Sequence, residues 1–305
     1  MPPKPSPPTL LSEPAFQYAL FDEPQREAIV NVASVPQRSP FRYPGGKTWL
    51  IPRVRKWLAS LLVRPALLVE PFAGGGSVSL AAACENLVER VLMVECDDQV
   101  AAVWQTLLNG DAFWLAEQIV LFDLTAGNVQ AALARPCTSV RDKAFQTILK
   151  NRVYHGGILA PGSGLLKQGE NGKGLSSRWY PQTLKTRMLG IAAIADKMTF
   201  VQSDGLQTLR QYAADPHAAF FIDPPYTAAG KKAGARLYVH NELDHEELFA
   251  VAASLAGSFL MTYDNAEGVV RLAQKHGFAV QAIPMKNTHH AQMSELLISR
   301  NLDWA

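Results

Sequence analysis

An apolar run, ALLVEPF (residues 66–72), meets three consecutive glycines at Gly74, Gly75 and Gly76 and passes at once into SVSLAAACENL, a stretch of small residues with helical character. A second apolar run, RVLMVE, follows with only a short break. Strand, glycine turn, helix and strand in this order form the opening unit of a parallel, doubly wound α/β sheet, and few other folds accept the pattern. The same rhythm returns further on in MTFVQSD, the helix-like GLQTLRQYAA, AAFFIDPPY, DHEELFAVAASLA, SFLMTYD and AEGVVRLAQKH. FAVQAIP and ELLISRN then follow one another with no helix between them, so the sheet is expected to finish on an antiparallel hairpin.

The remaining chain divides around this frame. Residues 1–40 begin MPPKPSPP and show no sustained period, which predicts a mobile leader. Residues 41–109 and 200–305 are read as one catalytic domain, and 110–199 as an insertion of short helical pieces and a glycine-rich loop. At 305 residues and 48% hydrophobic content there is ample apolar material for a core domain carrying such an insertion. No apolar run reaches the ~18–20 residues of a membrane span, and prolines stand where a signal peptide would be apolar, so a cytoplasmic protein without a membrane partner is expected. The three cysteines, Cys84, Cys96 and Cys137, lack metal-ligand spacing and are read as buried or half-buried free thiols, with no metal.

Charge is distributed unevenly. Between Arg135 and Phe200 eleven Lys and Arg face three acids, a net +8, which leaves −6 for the rest of a chain whose formal net charge is +2. A basic insertion on a mildly acidic body suits a polyanion, because phosphates are held chiefly by Lys and Arg. Clustering on a solvated surface would give the same count.

Two motifs carry chemistry. At the glycine turn, absent side chains allow close approach of a ligand and positive φ, in a dinucleotide site or an S-adenosylmethionine site alike; tight strand-to-helix packing would also place glycines there. Glu95 ends the second strand, where a carboxylate can accept both hydroxyls of a ribose, whereas Asp97 and Asp98 are expected to begin the next helix. No Gly-Lys-Ser/Thr follows the turn, which disfavours a P-loop. In FFIDPPY, Asp223 precedes two prolines that offer no N–H and cannot readily enter a helix. The corner presents the Asp223 carboxylate, the Pro224 carbonyl and the Tyr226 ring together, and nothing in the local sequence neutralises the acid. An exocyclic amino group of a nucleobase, with two N–H donors on one nitrogen and a flat face, fits these groups. Its lone pair is delocalised into the ring, and two acceptors on its hydrogens favour a localised lone pair able to attack a sulfonium methyl. Within a duplex the base must first be extruded, at a few kcal/mol that stacking on Tyr226 offsets in part.

With these sites in hand, the chain resembles the Dam-like, α-group DNA adenine-N6 methyltransferases over roughly residues 40–300, through FRYPGGKTWL, LVEPFAGGGSV, FIDPPY and SELLISRN in that order. The resemblance implies an S-adenosylmethionine-dependent, Rossmann-like sheet with the target-recognition region inserted between the glycine turn and Asp-Pro-Pro-Tyr. It further implies that Tyr43 and Lys47 contact S-adenosylmethionine, with Phe72, Gly74 and Gly76 in the same cofactor-binding set. Glu95 would hold the ribose where many members have Asp, and Asp223, Pro224 and Tyr226 the adenine, with Asp223 close to the cofactor as well. In the insertion, NRVYHGGILAPGSG is similar to the Asn-Arg-Tyr recognition segment of Dam but has Gly156, Gly157, Ile158, Leu159 and Ala160 where an arginine able to read guanine would lie, so GATC specificity does not carry over. Lys167, Lys173 and Arg178 are candidate phosphate contacts; Asn151 and Arg152 either join them or brace the loop. His289 and His290 are adjacent and point in different directions, and the chemistry needs no base there.

The implied activity is site-specific methylation of adenine in double-stranded DNA, in the cytoplasm and associated with the nucleoid through DNA, with a cognate restriction enzyme or other defence component as a candidate partner. Methylation of RNA adenine or of a protein glutamine is the alternative among enzymes. A silent DNA-binding partner and a nicotinamide-dependent oxidoreductase are the alternatives outside that reaction.

Overall fold

The computed structural model describes residues 34–43, 45–167, 169, 172–225, 243–286 and 292–305. Among the described residues the first α-helix, α1 (Ile51–Ser60), has a proline in its first turn, where the missing N–H costs nothing. It is followed by β1 (Leu67–Glu70), α2 (Ser77–Cys84), β2 (Arg90–Glu95) and α3 (Asp98–Leu108). Four helices of the insertion come next: α4 (Ala112–Leu121), α5 (Ala126–Ala134), α6 (Val140–Val153) and α7 (Pro181–Ala192). The alternation then resumes with β3 (Met198–Gln202), α8 (Gly205–Tyr212), β4 (Ala218–Ile222), α9 (His245–Ser254), β5 (Ser258–Asp264), α10 (Glu267–Lys275), β6 (Ala279–Lys286) and β7 (Gln292–Ser299).

The seven strands form one sheet in the order β3-β2-β1-β4-β5-β7-β6. The first five are mutually parallel, and β7 runs antiparallel to both β5 and β6, so the terminal hairpin is inserted with its second strand innermost. This is the doubly wound α/β sheet expected from the sequence. The inner parallel strands β1, β2, β4 and β5 read as near-continuous apolar runs because both faces are covered, whereas the edge strand β3 is largely exposed. Leu68, Met93 and Phe221 join α1 to α4, α6 and α7 in one core, while Val69, Phe220, Ile222 and Met261 face α8, α9 and α10 in the other. Successive residues of one strand thus enter opposite cores, the period of two of an extended chain.

The insertion is not set apart by a core of its own. Leu115, Ile119, Ile148, Leu184 and Met188 belong to the same core as the sheet, and only Val129, Leu149 and Val153, under α5, form a separate small cluster. After α6 the chain makes a loop closed by an isolated antiparallel bridge between Tyr154 and Leu165. The leader through residue 33 lies outside the described residues. The cysteines depart from expectation: Cys84, Cys96 and Cys137 are free, as read, but exposed rather than buried.

Candidate active site

The strand order reverses between β1 and β4, since the chain leaves β1 toward β2 on one side and reaches β4 on the other. At such a switch point the loops beyond the strands' carboxyl ends diverge and leave a crevice. A cavity of about 230 Å³ opens there, walled by Tyr43, Gly45, Gly46, Lys47, the turn from Glu70 to Ser77, Glu95 to Asp97, Asp204, Gly205 and the Asp223–Pro225 corner.

The glycine turn adopts the positive φ foreseen for it, +46° at Gly74 and +62° at Gly76. The space its glycines vacate is filled by the protein itself. A Cβ on Gly74 would lie 2.5 Å from Cε1 of Tyr43, and one on Gly76 2.5 Å from Cε of Met93 and 2.8 Å from Cζ2 of Trp104. Trp104 also donates its indole N–H to the Gly74 carbonyl at 2.9 Å. Tyr43 is therefore a layer laid on the turn, and its ring and the turn's own residues line the cavity together.

Glu95 sits at the end of β2 with its carboxylate buried. Its Oε2 accepts the Gly74 N–H at 3.0 Å, and its Oε1 accepts those of Cys96 and Asp97 at 2.9 and 3.0 Å. Burial pushes its pKa up, against the pull of these N–H groups. Asp97 accepts from Gln99 and Val100 as the N-cap of α3, and Asp98 is that helix's first residue, as expected of both. Cys96 lines the cavity beside Glu95. Desolvation and the neighbouring carboxylate raise its thiol to about 12, which removes it as a nucleophile.

The corner after β4 differs from its sequence reading in one respect. Asp223 is not left for an outside group to neutralise: Lys47 Nζ lies 2.7 Å from its Oδ2, and the Thr262 hydroxyl donates to its Oδ1 at 2.8 Å. Lys47, only 5% exposed in its side chain, also reaches Glu295 Oε1 at 3.2 Å and donates to the Gly45 carbonyl at 2.9 Å. Two acids from different strands thus share one buried ammonium. Pro224 is buried and Pro225 half-buried beside them. Tyr226, His289 and His290 lie outside the described residues.

Four groups at this site were not singled out from the sequence. Thr262 and Glu295 orient the Asp223–Lys47 pair, and Asp204 lines the cavity while capping α8. Glu70, at the end of β1, is buried and accepts the Ser79 N–H at 2.9 Å. Desolvation raises its pKa to about 8, with the Asp223 charge adding to the rise and the Ser79 bonds and Lys47 opposing it. The available signal was an acid at the end of, or inside, a strand buried on both faces, as in LLVE and SELLIS.

The basic residues divide by depth. Lys167 and Lys173 are exposed and Arg178 half-buried, on the loop between α6 and α7. Asn151 and Arg152 are 0% and 4% exposed. Of the two alternatives for this pair, phosphate contact or bracing the loop, their bonds favour bracing: Asn151 spends its amide on the backbone of Arg42 and Gly157, and Arg152 donates to the Pro40 carbonyl. Burial, with the charges of Arg187, Arg42 and Arg178, lowers Arg152 to about 9. Among the described residues no group of three or more His, Cys, Asp or Glu could hold a metal ion, and no helix is long and apolar enough to cross a membrane.

The cavity's donor set bears on what it can take. Glu70, Glu95, Asp97, Asp204 and Asp223 line it against one basic side chain, Lys47. That lining suits a cationic ligand with ribose hydroxyls and is ill-suited to a pyrophosphate, which favours S-adenosylmethionine over a nicotinamide dinucleotide. Residues 43–128 match the model of the family described as D12 class N6 adenine-specific DNA methyltransferase. No curated protein matches the chain. Similar solved structures include a Pyrococcus horikoshii protein described as a transferase, with 12% identity over 81% of this chain and 61% of that one and a TM-score of 0.33. Another is the rRNA methyltransferase aviRa from Streptomyces viridochromogenes, with 12% identity, 90% and 94% coverage and a TM-score of 0.40. TYW2 of P. horikoshii in complex with MeSAdo shares 12% identity over 89% of this chain and 67% of that one, with a TM-score of 0.31. The family match bears out the resemblance drawn from the motifs and, with the cavity's lining, supports methyl transfer with S-adenosylmethionine as cofactor.

Proposed function

From a match to the D12 class N6 adenine-specific family over residues 43–128, and an Asp-Pro-Pro corner set into the wall of an acid-lined cavity, we propose that this protein is a site-specific DNA adenine methyltransferase. The observation that carries the reading is the Asp223 carboxylate, held in one orientation by Lys47 and Thr262 at the wall of the cavity that fits S-adenosylmethionine.

When bound, S-adenosylmethionine supplies a methyl group on a sulfonium. Tyr43, Lys47, Phe72, Gly74, Gly76 and Glu95 are the residues that would hold it. Glu95 has three backbone N–H groups on its two oxygens, so a ribose hydroxyl would join an already ordered carboxylate, which needs no reorganisation to receive it. Asp223 and the Pro224 carbonyl accept the two amino hydrogens of an extruded adenine and favour a nitrogen whose lone pair is localised for attack. The incoming amino group takes its acceptor position beside the Lys47 ammonium or in exchange for it. As the nitrogen gains carbon it sheds one proton, and Asp223 is the acceptor the corner supplies for it. Tyr226 is the candidate stacking face for the base.

Support for a polyanionic substrate comes from Arg42, Arg152, Arg178 and Arg187. They lie close enough that the charges of the other three lower Arg152, and that of Arg178 lowers Arg42. A positive field of this kind is relieved by phosphates, and Lys167, Lys173 and Arg178 extend it along an exposed loop. Expression in a host that lacks adenine methylation, followed by modification-sensitive sequencing, should reveal N6-methyladenine at one short sequence motif. Asp223→Asn should abolish that signal, and an unmodified genome from the wild-type protein would refute the assignment to DNA.

A further inference from the structure

The segment that delivers Tyr43 to the cavity is held from the insertion. Residues 35–43 belong to no helix or strand, so their backbone groups need partners elsewhere. Asn151, in the last turn of α6, supplies two at once: its Oδ1 accepts the Arg42 N–H at 2.9 Å and its Nδ2 donates to the Arg42 carbonyl at 3.0 Å. The same amide nitrogen donates to the Gly157 carbonyl at 2.7 Å, joining the recognition loop to this point. Arg152 donates to the Pro40 carbonyl, and Arg187 on α7 to the Ser39 carbonyl at 3.0 Å. From the other side Gly157, at φ +73°, comes so close that a Cβ there would stand 2.4 Å from the Arg42 carbonyl oxygen. Three side chains and one glycine of the insertion thus hold Ser39, Pro40 and Arg42, and the next residue is Tyr43, whose ring lies on Gly74.

We propose that Asn151 is a positioning residue for the cofactor pocket, acting through Arg42 to seat Tyr43 on the glycine turn. The insertion is then part of the cofactor site as well as the candidate recognition region. This rests on the reading of the cavity as an S-adenosylmethionine site and is independent of which polymer is methylated. A bond pair that mimics a strand neighbour, made by a side chain with no exposure, leaves the 39–42 segment one arrangement. Losing it frees Tyr43 to leave Gly74, and the wall must be rebuilt on each binding event.

The test is the dissociation constant of S-adenosylhomocysteine, measured by calorimetry on the full chain without nucleic acid. Asn151→Ala should weaken binding about tenfold, the effect of one to two lost hydrogen bonds. Tyr43→Ala should weaken it at least as much, and the double variant no further than Tyr43→Ala alone. Leu149→Ala, which thins the small cluster under α5, controls for lost stability and should bind as wild type does. Arg187→Ala, half-buried and removing only the Ser39 bond, should weaken binding about threefold and serves where Asn151→Ala does not fold. Unchanged affinity in Asn151→Ala or in folded Arg187→Ala, or losses that multiply in the double variant, would overturn the proposal while leaving the cofactor reading intact. A wild-type protein that binds no S-adenosylhomocysteine would overturn both.

Discussion

Replacing Lys47 by methionine keeps the length and apolar stem of the side chain and deletes the ammonium that Asp223 and Glu295 share. The side chains of Lys47 and Glu295 are each 5% exposed and that of Asp223 19%, so little water can take the ammonium's place. Removing one member of a buried ion pair typically costs ~3–5 kcal/mol, because the partner's charge stays behind unpaired. Here two carboxylates are left facing each other, which puts Lys47→Met at the upper part of that range. Against a total stability of ~5–15 kcal/mol this is a large fraction, and at ~2–4 °C per kcal/mol the unfolding midpoint should fall by roughly 10 °C. Urea titration followed by circular dichroism measures the loss directly. A second substitution tests the cause: Lys47→Met with Glu295→Gln removes one of the two orphaned charges and should return about half of the loss, ~2 kcal/mol. A Lys47→Met protein within ~1 kcal/mol of wild type, or a double variant no more stable than the single, would refute the reasoning that Lys47 is a structural counter-ion.

Glu70 gives a pH signature. Its folded pKa, about 8, stands above the ordinary carboxyl value of 4.5, so the folded state binds an extra proton between the two. The resulting penalty is absent below the unfolded value, grows as pH rises and levels off above about 8, reaching ~3 kcal/mol at pH 7. Glu70→Gln should therefore equal wild type near pH 4.5 and exceed it in stability at pH 8.5; urea titrations at both pH values check the sign, and the reverse order would contradict it. Thr262→Val removes the hydroxyl that donates to Asp223 at 2.8 Å. It should slow transfer about tenfold while the affinity for S-adenosylhomocysteine stays within twofold, because the bond orients the acceptor and not the cofactor.

The inner strands were legible in the sequence because strands covered on both faces must be apolar throughout, and runs such as ALLVEPF and AAFFID leave no other element to build; the exposed edge strand β3 and the closing hairpin were legible from their place in the α/β rhythm. Asp97 and Asp98 could likewise be assigned to a helix start from their position after a strand. What the pattern could not supply was the pairing of side chains brought together from distant stretches. Lys47 comes from the segment before α1, Asp223 from the end of β4 and Glu295 from β7, and only the sheet order makes them neighbours. The glycine turn leaves ligand approach and tight packing both open in the sequence; in the structure Tyr43, Met93 and Trp104 pack against glycines that also line the cavity, because composition marks a close approach without saying what approaches. Asn151 and Arg152 are polar side chains in a basic stretch, which leaves phosphate contact and bracing of the loop equally open. Their burial follows from the segment at Pro40–Arg42 and the loop at Gly157 lying against the end of α6, a tertiary fact with no local signal.

The central claim is that Asp223 prepares an adenine amino group in DNA for methylation. It is tested most directly by incubating the purified protein with radiolabelled S-adenosylmethionine and, separately, mixed-sequence duplex DNA, RNA and protein acceptors, then digesting each to nucleosides or amino acids. The account predicts label in N6-methyladenine from duplex DNA and none from the Asp223→Asn protein. Label confined to RNA or protein, label on cytosine, or undiminished transfer by Asp223→Asn would contradict it.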